Sequence, residues 1–305
     1  MNLTNTDEGR VEIKRIGRFI RKKQTKEQSF GGRYMPLGSS PVAGKHSFRV
    51  SYASSLSGAI AMWLALAGIW MGICGASAKA ESLATTSEKI RVLIVTGVDY
   101  PGHDWRGTSR KLQEILTKDP QIEARIVEDI EILATDVIFD YQVLVLHFKN
   151  YGPPRREADV YRNVEAFVKR GGGLLLTHFA CGAFEEWPEF VRIAGRVWDK
   201  NKRAHDPWGP FEVRIVDTEH PIVRGISSFE ISDELYTCLG GEENIHVLAV
   251  ARSRVDGQDY PMIFTRQLGE GRVVQSVLGH DLRAYEPEIY QEILRRAVRW
   301  LASGK

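Results

Sequence analysis

Gly171-Gly-Gly-Leu-Leu-Leu-Thr-His-Phe-Ala-Cys-Gly-Ala-Phe184 reads as a strand covered on both faces that runs straight into a tight, polar-tipped turn. Leu174, Leu175 and Leu176 form the continuous apolar run expected of a parallel strand sandwiched between helices. The turn then presents Thr177, His178 and Cys181 at the carboxyl end of that strand, where open α/β sheets bind their ligands. The glycines come before the strand, and no Walker or dinucleotide pattern follows, so Gly171-Gly-Gly173 reads as a helix cap and turn, not a phosphate cradle. Further along, Arg272-Val-Val-Gln-Ser-Val-Leu278 is a second strand of the same kind and delivers Gly279-His280-Asp281. Two strand-end histidines in one sheet are expected to share one pocket, with rings within ~10 Å of each other.

On either side of these strands, apolar runs alternate with helical patterns from Glu88 onward, the signature of a parallel α/β sheet. Strands are expected at Ile90–Thr96, Ile122–Val127 and Tyr141–Leu146, with the run to Thr177 as the fourth. A helix starting near Thr108 carries Leu112, Ile115 and Leu116 on one face, and another from Arg156 to Arg170 carries Val160, Val164, Phe167 and Val168 inward. A last helix from Pro287 to Leu301 places Ile289, Ile293, Leu294, Val298 and Leu301 on one side. Between them lies an aromatic-rich segment with Trp187, Trp198 and Trp208. The runs Phe211–Val216, His246–Val250, Met262–Thr265 and Val273–Val277 then read as a mixed extension of the sheet.

Residues 1–57 are basic, rich in Ser and Gly and without apolar periodicity, and are expected to form a disordered leader. Residues 58–80 read as a signal peptide or membrane anchor: an apolar run from Gly58 to Ala78, with Lys45 and Arg49 upstream and Ala76-Ser-Ala78 as a cleavage pattern. Export to the periplasm or outside the cell follows from it, with the membrane touched only through this segment. A start at Met35 would leave an ordinary short basic region ahead of the run. Beyond it only Cys181 and Cys238 remain, too few for a disulfide framework. With 41 Lys and Arg against 39 Asp and Glu, and the basic excess in the leader, no nucleic-acid partner is implied.

Six motifs in order resemble the ThuA, or trehalose-utilisation, family: Gly102-His-Asp-Trp105, Thr177-His-Phe-Ala-Cys-Gly-Ala-Phe184, His220-Pro-Ile-Val-Arg-Gly225, Asp233-Glu-Leu-Tyr236, Gly269-Glu-Gly-Arg-Val-Val274 and Gly279-His-Asp281. The resemblance covers residues 88–303 as one domain. It implies a flavodoxin-like α/β fold, mainly parallel with helices on both faces, related to the class I glutamine amidotransferases. It also implies a context of disaccharide or keto-sugar metabolism.

An amidotransferase of that kind carries a nucleophilic Cys in the strand-to-helix elbow and a His after a later strand. Here His178 occupies the elbow, and Cys181, three residues on, reads as a small buried thiol. His280 then has no nucleophile to deprotonate, so glutaminase chemistry is not expected. Acid–base catalysis on a carbohydrate suits these residues better, with His178, His280 and Glu234 as the catalytic set. His103, Asp104, Trp105, His205, Asp233 and Tyr236 are the expected substrate contacts.

Adjacent carboxylates on extended chain face opposite ways, so only one of Asp233 and Glu234 is expected to face the site; Glu234 is favoured, with the other capping or pairing with an Arg. Imidazoles and a carboxylate also suit a divalent metal such as zinc, but no HxH or HExxH spacing assigns one. His147, His220 and His246 are expected to be buried structural histidines, and at least one tryptophan to line the pocket. The combined reading is an exported enzyme acting on a small-molecule carbohydrate by hydrolysis or isomerisation. The rival is a non-catalytic sugar-binding module on the same fold, which would bury its histidines apart from one another.

Overall fold

Five strands lie side by side in parallel and four more extend the sheet antiparallel, in a computed structural model that describes residues 88–150, 152–237 and 239–304. The expectations for residues 1–57, for the segment 58–80 and for Cys238 fall outside the described residues. Among the described residues no helix is long and apolar enough to cross a membrane.

The parallel strands are β1 (Ile90–Val95), β2 (Ile122–Val127), β3 (Val143–Leu146), β4 (Gly173–Thr177) and β9 (Gly271–Ser276). Their spatial order is β2-β1-β3-β4-β9, the doubly wound order of a flavodoxin-like sheet. The antiparallel strands are β5 (Gly209–Ile215), β6 (Phe229–Asp233), β7 (His246–Arg252) and β8 (Asp259–Leu268). They continue from β9 as β8-β7-β5-β6.

Burial alternates with the pleat, as period-2 side chains require. In β1, Val92 and Ile94 join a core under helices α1 (Trp105–Thr117) and α4 (Glu288–Ala302), which contribute Leu112, Ile115, Leu294 and Val298. Leu93 and Val95 join the opposite core under α2 (Glu157–Lys169), with Val160, Val164 and Phe167. In β4, Leu175 faces the first core while Leu174 and Leu176 face the second. Both faces of β3 and β4 at the centre are therefore dry, which is why the leucine run carries no polar alternation, whereas the outermost β2 exposes Glu123 and Arg125 on one face.

The cap expected at Gly171 is present: φ is +95°, its N–H donates to Val168 O at 3.0 Å, and Gly172 N–H donates to Phe167 O at 2.9 Å. Helix α1 begins at Trp105, three residues before the position read from the sequence. Asp104 explains the early start, because its side chain accepts from Gly107 N at 2.9 Å and its carbonyl from Thr108 N at 3.0 Å. A short helix α3 (Phe190–Ala194) lies in the aromatic-rich segment. Strand β6, not expected from the sequence, leads directly into Asp233-Glu234.

Candidate active site

Four parallel strands each send an imidazole past their carboxyl ends. β1 leads to His103, β3 to His147, β4 to His178 and β9 to His280. The outermost, β2, leads to none.

His147 has a structural role, as expected. It is fully buried, with its two ring nitrogens 2.8 Å from Thr108 Oγ1 and 2.6 Å from Thr177 Oγ1. Burial lowers its pKa to about 3, so it forms a neutral wall behind the site and packs on Phe179 at 4.9 Å.

His178 is held differently. Its φ of +42° is the only positive value among the described non-glycine residues, a left-handed elbow at the end of β4. Such a conformation costs an ordinary residue on the order of 1–3 kcal/mol and tends to mark functional positions. The ring is 0% exposed and lies 5.4 Å from the His280 ring, 5.1 Å from His103 and 4.4 Å from Tyr236. Its Nδ1 bonds Val277 O at 2.9 Å, which turns Nε2 toward the cluster. The two strand-end histidines thus share one site.

Glu234 supplies the carboxylate at the centre. One oxygen, Oε2, is 3.1 Å from His280 Nδ1 and 3.6 Å from His178 Nε2, while Oε1 is 3.6 Å from His205 Nε2. Burial would push its pKa up, but the interactions with His178 and His280 outweigh this and hold it below the usual carboxylate range. Glu234 in turn raises the pKa of His280, against the opposing effect of burial. His103, stacked on Phe179 at 4.4 Å, has its pKa driven down to about 2, first by burial and then by the nearby His178 and His280.

Asp233 faces away and is fully buried. Its carboxylate accepts from Gly279 N at 2.7 Å, His280 N at 3.1 Å and Glu234 N at 2.8 Å. It therefore caps backbone and pairs with no Arg, tying the end of β6 to the loop after β9. Burial raises its pKa against these donors and His178. Gly279 adopts φ +121°, and a Cβ there would sit 2.5 Å from Tyr285 Oη, so only glycine fits the turn that brings its N–H to Asp233.

The other expected contacts divide. Tyr236 is buried between His178 and His205, and His205 is partly exposed on the rim. Trp105 is buried and its Nε1 donates to Asp99 at 2.9 Å; Asp104 is occupied as the helix cap. Both still line a cleft of about 400 Å³ that opens on His103, together with Asp99, Tyr100, Pro101 and Arg106. Tyr100, whose ring is 5.0 Å from His103, is a site residue that sequence reading passed over. Its only signal was its place beside the Gly102-His-Asp-Trp105 motif.

Trp198 borders a second groove of about 310 Å³ with Trp187, Glu185 and Asp199, and Lys149 Nζ sits 4.0 Å above its ring. Trp198 also touches Tyr236 at 5.5 Å, so the groove abuts the site. Cys181 is 1% exposed and burial pushes its thiol up to about 12, as a structural thiol requires. His220 is buried as expected. His246 is not: it begins β7, is exposed, and pairs through Nε2 with Asp217 at 2.8 Å. Its apolar neighbours belong to the strand that follows, and the first residue of a strand need not share their burial.

With this geometry in view, residues 91–301 match the family model described as ThuA, trehalose utilisation. The chain belongs to the ThuA family. A ThuA-like protein from Parabacteroides merdae is similar in structure, with a TM-score of 0.62 and 26% identity over 72% of this chain and 91% of that one. A ThuA-like protein from Bacteroides uniformis shares the fold at a TM-score of 0.58 and 18% identity, covering 71% of this chain and 92% of its own. A cytoplasmic protein from Salmonella typhimurium shares it at 0.52 and 15% identity, covering 69% and 99%. A comparison with curated proteins found no match.

Proposed function

We propose that this ThuA-family chain is an exported enzyme that acts on a disaccharide or its keto derivative by proton transfer at the His/Glu234 cluster. The observation that carries the reading is one carboxylate within 3.1–3.6 Å of three imidazoles from separate loops. A non-catalytic module has no need to gather titratable groups in this way, whereas acid–base catalysis does. Glu234 and His280, 3.1 Å apart at the partly exposed side of the cluster, are placed to take a proton from a sugar hydroxyl or from carbon beside a keto group and return it. The donor set is equally suited to a divalent metal such as zinc.

The cleft at His103 is of a size to take a sugar ring, and the family description supplies the disaccharide context. Cys181, buried and with a raised pKa, takes no part, and no glutaminase activity is expected. Export rests on the apolar run at 58–78 and is checked by amino-terminal sequencing of the native protein, expected near Glu81.

The functional test is incubation of the protein with oxidised and unoxidised disaccharides, following both glycosidic cleavage and isomerisation. Turnover is expected on one of the two classes, and Glu234→Gln should reduce it by about 10²-fold or more while the fold survives. Full activity in that variant would overturn the reading.

A further inference from the structure

We propose that His103, His178, His280 and Glu234 bind one divalent first-row metal ion, zinc foremost. The donor atoms of these four residues all lie within 4.8 Å of one another. Tetrahedral ligands at ~2.0–2.1 Å from zinc sit ~3.3 Å apart, and the Glu234 contacts of 3.1 Å to His280 and 3.6 Å to His178 bracket that edge.

Hydrogen bonding decides what must lie between the groups. The carbonyl of Val277 can only accept, so His178 Nδ1 carries the proton and, in the neutral ring, Nε2 holds a lone pair. That nitrogen is buried, has no hydrogen-bond partner, and faces a carboxylate oxygen that also only accepts. His205 faces the other oxygen of Glu234 from the partly exposed rim, with Nδ1 donating to Asp206 O at 2.8 Å, and solvent reaches that contact. Acceptors aimed at one another in a dry site need positive charge between them.

A proton on His178 would answer one such contact, but it would leave His103 with both ring nitrogens buried and unpartnered, and His280 Nδ1 without an aligned bond. A metal ion answers all of these together. The outer contacts fit as well, since metal-ligating imidazoles commonly donate their other nitrogen to a carbonyl, as His178 does, and Asp233 fixes the backbone of His280.

The inference deepens the proposed function and takes from it only the identity of the centre. With a metal in place, His280 and Glu234 are ligands, and His205 on the rim remains as the group that moves a proton. The metal would polarise a carbonyl or hydroxyl oxygen of the sugar entering from the His103 cleft. A keto sugar, whose carbonyl oxygen is a good Lewis base, is the substrate class this arrangement favours.

The test uses untagged protein stripped with a chelator, dialysed against Zn²⁺ or Co²⁺ and assayed by elemental analysis and by the visible absorption of bound Co²⁺. About one ion per chain is expected. His178→Asn and Glu234→Gln should retain at least about tenfold less metal, with circular dichroism confirming that each is folded. His103→Asn serves as a second ligand variant should either fail to fold. His205→Gln should keep its metal yet lose turnover, and His246→Ala, at the exposed start of β7, should keep both.

Retention below about a tenth of an equivalent by the unmutated protein, or equal retention by the ligand variants, would sink the metal site. A metal-free protein that turns over sugar at full rate breaks the metal proposal and leaves the acid–base reading. A metal-loaded protein inert toward every sugar does the reverse.

Discussion

The two halves of the sheet do different work. The parallel half, β2-β1-β3-β4-β9, is buried on both faces at its centre and sends histidines into the site from the ends of β1, β4 and β9, with His147 of β3 behind them. The antiparallel half, β8-β7-β5-β6, exposes residues along every strand and contributes the carboxylates, from the end of its outermost strand. Imidazoles come from the rigid centre and their counter-charge from the edge, so the site exists only where the halves meet. Asp233, accepting from the Gly279 and His280 amides, is the joint.

The largest expected effect comes from cutting that joint. Asp233→Ala leaves two or three buried N–H groups unpaired, at roughly 1–3 kcal/mol each. The melting temperature should fall by about 2–4 °C for each kcal/mol lost. Turnover should fall further than the loss of folded protein explains, because Glu234 and His280 lose their shared anchor. A variant that melts like the parent would show that the halves are held together elsewhere.

Gly279→Ala tests the parallel side of the same joint. The positive φ and the approach to Tyr285 Oη predict a loss on the order of 1–3 kcal/mol. Repeating it in a Tyr285→Phe background should recover the steric part but not the backbone part, and chemical denaturation of the four proteins separates the two. Full additivity would mean that the tyrosine is not the obstacle.

A smaller, pH-dependent effect belongs to the parallel half alone. Asp119, after α1, is buried against Arg299 of α4, and the Arg299 hydrogen bond holds its carboxyl below the ordinary value. A carboxyl with a depressed folded-state pKa adds stability above its unfolded pKa and loses it as pH falls through the folded one. Asp119→Asn should therefore melt below the parent at pH 7, with the gap closing as pH drops beneath the usual carboxylate range. A gap that persists in acid would point to packing, not charge.

The smallest effect is expected at Cys181. The buried thiol, pushed up to about 12, should resist alkylation in the native protein at pH 8, and Cys181→Ser should leave turnover nearly unchanged. Rapid modification with loss of activity would return the nucleophile to the elbow loop.

The same division explains what was legible in the sequence. Leu174-Leu-Leu176 and Val143-Leu-Val-Leu146 read as strands because burial on both faces leaves one apolar solution, and their turns carried His147 and His178 with them, as the turn after β9 carried His280. Phe229-Glu-Ile-Ser-Asp233 did not read as β6: five residues with Ser and Asp give too short an alternation, and the strand is held by pairing with β5 and not by composition. Alternation alone said that only one of Asp233 and Glu234 would face the site. That Glu234 would meet three imidazoles required knowing that the chain returns past β9 along the far edge. His246 heads the apolar run of β7, whose burial does not reach its first residue.

The contacts that close the site span long stretches of chain, 46 residues from Asp233 to Gly279 and 99 from His178 to Val277. Contacts of this range form after local ones, because loop-closure entropy must first be overcome. Half-folded species in which these long-range contacts have not yet formed would carry the histidines and the carboxylate apart. During refolding, a signal that reports the intact cluster should thus appear in the last kinetic phase, after the helices and the core fluorescence have settled, so the centre would serve as a clock for the completion of the fold.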